Sequence, residues 1–262
     1  MTLAGPLPQI VAQWGAPAIV RALSTVREGG LSGGPYGQVG GAPGGLNLGD
    51  HVGDDPVAVA GNRARLASAV PAEVRWLVQE HGTSVHDADE ADAAGAGVPR
   101  ADAAVTTRPG VALAVLTADC LPVLLADTGG RAVGIAHAGW RGLAAGVLEA
   151  TVRALRQRAP DAAIVAWLGP AIGPDAFEVG DDVRDAFVGP DPVCAGAFVA
   201  GRIAGKWQAD LFALATRRLA AAGVTDVAGG GVCTVADPRR FYSYRRDGRT
   251  GRMASLVWIA RR

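Results

Sequence analysis

The chain reads as one α/β or α+β domain. Helix-length and strand-length signals interleave from end to end, with no repeat and no linker between them. Apolar residues make up 49% of 262 residues, enough to bury one large core. Glycine and proline clusters separate the signals, as turns and loops require.

Taken in order, residues 28–49 (EGGLSGGPYGQVGGAPGGLNLG) read as a long loop with a disordered middle, because glycine loses much backbone entropy in any regular element. DDPVAVAGNRARLASAV reads as a helix, with Asp54 or Asp55 as cap and Pro56 in the first turn. VRWLVQEHG reads as a strand running to His81. GVALAVLTADC is a continuous apolar run of strand length that stops at Asp119 and Cys120. PVLLAD and RAVGIAHAGW follow as strands, parted by the turn Asp127–Thr128–Gly129–Gly130. GLAAGVLEATVRALRQRAP has helical spacing and stops at Pro160. AIVAWLGPAIG is a strand entering a Gly/Pro loop, and WQADLFALATRRLAAAGV is an amphipathic helix ended by Gly223. VTDVAGGGVCT and TGRMASLVWIARR read as the last two strands.

Charge and cysteine content exclude several classes. The 25 basic and 25 acidic residues cancel, so no global field draws the chain to nucleic acid or an anionic membrane. No apolar stretch is long and unbroken enough to span a bilayer. The opening MTLAGPLPQIVAQWGAP lacks a basic n-region and is interrupted by proline, so no secretory segment is expected there. Cys120, Cys194 and Cys233 are few, odd in number and far apart, which suits a reducing cytoplasm rather than a disulfide framework. A monomer is the default expectation.

The chemistry gathers at the ends of apolar runs. His81, Cys120 and His137 each close one, and polar loops at strand ends are common sites of chemistry. Two imidazoles and one thiolate suit zinc and leave a fourth position open, as a catalytic zinc requires. The bland alternative treats Cys120 as a small core residue and each histidine as structural. Only four histidines are present, too few for several copper centres; His51 and His86 sit in polar surroundings and read as loop residues.

The segments LNLGDHVGDDP, QEHGTSV, TADCLPVLLAD, GIAHAGWRG, LGPAIG and FYSYRRDGRTGRMASLVWI resemble the YfiH family, also called the multicopper polyphenol oxidase or laccase-domain family. The matches run in order over nearly the whole chain. The resemblance implies a single α+β domain with a four-layer α/β/β/α arrangement and mixed sheets, similar to a deamidating toxin domain. It implies zinc held by His81, Cys120 and His137, with purine nucleosides and phosphate as substrates. Adenosine deaminase and methylthioadenosine phosphorylase activities are also assigned in the family. Older descriptions make its members copper laccases, and some relatives are tied to editing of peptidoglycan precursors. Two departures stand out: the family's Gln-Val-His-Gly is Gln79–Glu80–His81–Gly82 here, and the insert GQVGGAPGG is long. On a strand, Glu80 would point away from the face that carries His81.

Phosphorolysis needs an anion site, which arginine suits through its planar fork. Arg27 and Arg141 are the candidates, the alternative for Arg27 being a solvated loop residue. Asn47 can bind substrate or brace a turn. Asp119 can act as a general base or anchor a metal-bound histidine. Tyr244, Arg245 and Arg246 read as a surface turn with salt bridges, and Trp140 as a purine stacker or core residue. A Cys120–His137 dyad acting as a metal-free hydrolase is the competing chemistry.

Overall fold

The computed structural model describes residues 6–90 and 97–261. The first five residues of the N-terminal stretch, and Arg262 at the end of the last expected strand, lie outside the described residues. In chain order the first strands are β1 (Gln9–Val11), β2 (Val20–Thr25), β3 (Glu28–Ser32), β4 (Glu73–Arg75) and β5 (Val85–Asp87). Next come β6 (Ala103–Thr106), β7 (Val111–Thr117), β8 (Leu121–Asp127), β9 (Val133–Ala138) and β10 (Ile164–Leu168). The last are β11 (Glu178–Gly180), β12 (Phe198–Ala200), β13 (Lys206–Ala209), β14 (Asp226–Gly229) and β15 (Met253–Ile259). The helices are α1 (Pro56–Ala69), α2 (Trp140–Ala145), α3 (Val147–Arg158), α4 (Asp181–Val188), α5 (Leu211–Ala221) and α6 (Tyr244–Asp247).

Two mixed sheets face each other. One has the order β1-β2-β15-β7-β4, antiparallel except for β4 beside β7. The other has the order β14-β10-β8-β9-β6-β5, with parallel pairs only at its two edges. A small antiparallel sheet, β11-β13-β12, lies apart.

Strand alternation builds the layers. On β7, Val111, Leu113 and Val115 enter the core between the sheets, while Ala112, Ala114 and Leu116 join Leu66 of α1 on the outer side. On β8, Leu124 and Ala126 face the inner core, while Leu121, Val123 and Leu125 meet Leu148 and Val152 of α3 and Leu214 of α5. The result is α1, sheet, sheet, then α3 with α5: the four-layer α+β arrangement expected from the sequence. Strands buried on both faces are why these segments read as unbroken apolar runs. Each fully buried leucine in them contributes about 1.5–3 kcal/mol.

Four sequence-based expectations change. Residues 28–49 are not one loop: β3 lies within them, and Tyr36, Leu46 and Leu48 are buried. The strand expected to reach His81 ends at Arg75, because Val78 turns aside to hydrogen-bond Pro99 and Ala101. The Gln79 side chain then serves β7 in place of backbone, accepting from Leu116 N at 2.7 Å and donating to Leu116 O at 2.9 Å. The helix expected over 142–160 begins at Trp140 and breaks at Gly146 (φ 102°), giving α2 and α3. Trp207–Ala209 belongs to β13, and the helix starts after Asp210, whose carboxylate accepts from Phe212 N and Ala213 N.

A Cβ at Gly146 would come no nearer than 3.5 Å to a neighbour, so space is available and backbone conformation sets the cost. Gly146→Ala should therefore destabilise the protein by about 1–2 kcal/mol in urea unfolding, with the metal site unchanged.

Candidate metal centre

Three links join the two large sheets at the same end of the sandwich, the last of them residues 230–252 between β14 and β15. Residues 76–84 link β4 to β5, and residues 118–120 link β7 to β8. His81 sits on the first crossing and Cys120 on the second. His137, next to last on β9, continues the inward row of Val133 and Ile135 to the sheet's end. The ligand atoms of His81, Cys120 and His137 all lie within 4.8 Å of one another. The three residues chosen from the sequence are thus brought together, although His81 lies on a turn beyond its strand.

Backbone strain is concentrated here. Among the described residues, only His81 (φ 61°) and Asp119 (φ 96°) are non-glycine residues with positive φ. Such conformations cost about 1–3 kcal/mol each and persist where surroundings hold them. His81 is held by Asp102, whose carboxylate accepts from Glu80 N (3.1 Å), His81 N (2.9 Å) and Gly82 N (2.6 Å). The same carboxylate meets His137 Nδ1 at 2.8 Å. Asp119 is held by Thr234 Oγ1 (2.6 Å), Ser243 Oγ (3.0 Å) and Arg245 N (2.7 Å), and its own carbonyl accepts from Ile172 N.

The donor set fits a metal ion. Metal–sulfur and metal–nitrogen bonds of tetrahedral sites place the two donor atoms about 3.6 Å apart. Cys120 Sγ and His81 Nε2 stand 3.7 Å apart, and the two imidazoles meet edge to face with centroids at 4.7 Å. Gly139 gives the ligands room: a Cβ there would lie 2.9 Å from His81 Cδ2 and 3.0 Å from Cys120 Sγ. In the metal-free protein, burial pushes the Cys120 thiol up, but His137 and His81 more than reverse this and lower it to about 6. Burial likewise pushes His137 down, yet Cys120 and Asp102 raise it to about 9. The pair is a thiolate facing an imidazolium, and a metal ion takes the imidazolium proton's place.

The remaining candidates separate. Asp119 neither anchors a histidine nor keeps a free oxygen for base chemistry; its carboxylate braces the turn before Cys120, and Asp102 makes the imidazole contact instead. Arg27 is buried, with its guanidinium hydrogen-bonded to Gly37 O, Gln38 O and Pro238 O and ion-paired to Asp247, so it is no phosphate arm. Asn47 is fully buried, and its amide is saturated by Gly49, Asp54 and the Arg252 amide, which makes it a turn brace. Arg141 is exposed, lies over the Trp140 ring at 4.4 Å and has no hydrogen bond or ion pair among the described residues. Trp140 packs on the core. Arg245 and Arg246 bind backbone carbonyls, and Arg246 also pairs with Asp247. His51 and His86 stay outside the cluster. Glu80 is ion-paired to Arg100 at the surface. Sequence reasoning missed Asp102 and Gly139. The signals were an acidic residue directly before an apolar strand, and a glycine two places after a ligand.

Fold and site together define a four-layer α+β protein with one His/Cys/His centre where two sheets meet. A family described as "Multi-copper polyphenol oxidoreductase laccase" matches residues 21–260. A purine nucleoside phosphorylase of Pseudomonas aeruginosa is 53% identical, over 94% of this chain and 96% of that one. The purine nucleoside phosphorylase YfiH of Escherichia coli is 47% identical, over 95% and 98%. The crystal structure of a Neisseria meningitidis protein superposes with a TM-score of 0.87 at 50% identity, over 97% and 99% of the two chains. The chain belongs to the YfiH, or laccase-domain, family.

Two outcomes follow from this geometry. Gly139→Ala, at a backbone conformation open to any residue (φ −62°, ψ 154°), should leave folding intact by circular dichroism. It should weaken metal binding in chelator competition by about 10–100-fold, as changes beside metal ligands do. In metal-free protein, iodoacetamide should alkylate Cys120 at pH 7 well before Cys194, whose thiol burial pushes up, and metal should protect it. A lowered thiol pKa means that thiolate is lost only as pH falls through about 6, so the alkylation rate should drop there.

Proposed function

We propose that the protein is a zinc-dependent purine nucleoside phosphorylase acting on purine nucleosides and phosphate. The observation that carries this reading is the single cluster of two imidazoles and one thiolate, in a chain about half identical to proteins named for that activity. The donor chemistry favours zinc: imidazole and thiolate suit it, and three protein ligands leave a position for substrate chemistry. Copper-dependent phenol oxidation by several coppers finds too few ligands, since the chain has four histidines and His51 and His86 stand apart from the cluster.

In phosphorolysis a phosphate oxygen attacks C1′ of the ribose, the bond from C1′ to the purine nitrogen breaks, and the base leaves carrying that electron pair. The bound metal would supply Lewis acidity to the reaction. His81, Cys120 and His137 would hold it at the sheet ends, with Asp102 accepting the Nδ1 proton of His137 as a hydrogen bond. Arg141, four residues after His137, offers an uncommitted guanidinium fork for a phosphate. Adenosine deamination and methylthioadenosine phosphorolysis are further reactions that the same centre would serve; in the first, water attacks C6 of the purine and the amino group leaves as ammonia. No helix among the described residues is long and apolar enough to cross a membrane. We place the enzyme in the cytoplasm as a monomer.

A Cys120–His137 hydrolase is the second reading, motivated by the thiolate–imidazolium pair of the metal-free state. It needs no metal, which separates the two. Purified protein should release base from inosine or adenosine only with both phosphate and zinc present. Absence of any base release or deamination in zinc-loaded protein would sink the phosphorylase reading, and full activity after zinc removal would favour the hydrolase. Cys120→Ala should lower kcat/KM at least about a hundredfold, the scale of several kcal/mol of lost metal assistance. Arg141→Ala should raise KM for phosphate more than it lowers kcat.

A further inference from the structure

We infer that Asp102 is a positioning residue for both histidine ligands at once, and that metal affinity depends on its carboxylate although it is not itself a ligand. The inference rests on the metal-centre reading above. Asp102 is 1% exposed and sits directly before β6. Its backbone is tied to both neighbouring segments: its N–H donates to Ser84 O, and its carbonyl accepts from His137 N at 2.7 Å.

The carboxylate has two oxygens, and each is used twice. Oδ1 meets His137 Nδ1 and His81 N, while Oδ2 meets Glu80 N and Gly82 N. An ionised carboxylate only accepts, so Nδ1 of His137 must carry a proton, and Nε2 is the nitrogen left to bind a metal. On the other side, three successive amides converge on one anion, a backbone nest that demands the left-handed turn at His81. One buried anion therefore fixes the ring of one ligand and the backbone of the other. Cys120, the third ligand, has its own brace in Asp119 and shares none of these bonds.

An amide cannot replace this group. All four groups facing Asp102 are donors, and asparagine offers one accepting oxygen and one donating NH2. If the NH2 faces His137, it drives the ring proton to Nε2 and blocks the ligand. If it faces residues 80 and 82, it repels the amides that hold His81 in its turn. Either orientation should weaken binding.

The test compares wild type, Asp102→Asn and Asp102→Glu by zinc competition with a chromophoric chelator, alongside long-range 1H–15N spectra of the zinc-loaded imidazoles. Wild type should show His137 protonated at Nδ1 and metal-bound through Nε2. Asp102→Asn should bind zinc about 10–100-fold more weakly. Asp102→Glu keeps the anion and should recover part of the loss. A merely structural role would lower the melting temperature and leave the zinc affinity of the folded fraction unchanged, which would overturn the inference. Should Asp102→Asn fail to fold, the wild-type spectrum still decides: an unprotonated Nδ1 on His137 overturns it. A wild-type protein that binds no zinc would overturn the metal-centre reading and this inference together.

Discussion

Two buried carboxylates, each accepting several hydrogen bonds at a chain crossing, brace the links that join the sheets of this protein at one end. A connection between stacked sheets has few ladder partners, so its N–H groups need others. Asp102 takes three amides of the first crossing, and Asp119 takes an amide and two hydroxyls beside the second. The price is left-handed backbone at His81 and Asp119 themselves, and the return is a pair of ligands held at the mouth of the core.

Arginine plays the complementary part. The glycine-rich segment and the C-terminal turns leave carbonyls without strand partners, and guanidinium groups fill the need. Arg27 binds Gly37 and Gln38, Arg246 binds Thr234, Val235 and Phe241, and Arg245 binds Ala176 and Glu178. Their donors are thereby committed, inside the protein for Arg27 and at its surface for Arg245. Exposed Arg141, by contrast, makes no hydrogen bond or ion pair among the described residues. The committed arginines also show how a chain with no net charge can be rich in charge-assisted bonds.

The same rigidity bears on the chemistry. Glycine at 139 permits close approach of the helix-bearing segment to His81 and Cys120, and Asp102 holds both the His81 backbone and the His137 ring. A centre whose imidazoles are oriented before metal arrives requires little reorganisation on loading. This is compatible with a site that stays assembled through a catalytic cycle, the behaviour expected of the phosphorylase proposed above.

Much of the design is legible in the residues themselves. Val111–Thr117 and Leu121–Asp127 announce doubly buried strands by continuous apolar character, Asp55 and Pro56 announce the start of α1, and His81, Cys120 and His137 are marked by type and by position after apolar runs. Those are local properties: side-chain chemistry, periodicity and capping act within a few residues. The departures all involve partners distant in sequence. The strand before His81 is cut short because Val78 pairs with Pro99 and Ala101; Arg27 looked like a phosphate arm until Pro238 and Asp247 closed on it; Asn47 is claimed by Arg252. Residue type and local pattern are enough to mark which residues have the chemistry to bind a metal and which segments build the core. Tertiary structure alone decided which polar groups are already satisfied, and so gave the imidazole-orienting role to Asp102 rather than Asp119. The reason is physical: a side chain's availability depends on the donors and acceptors that folding brings within 3 Å, roughly one hydrogen bond, and sequence spacing does not encode that distance.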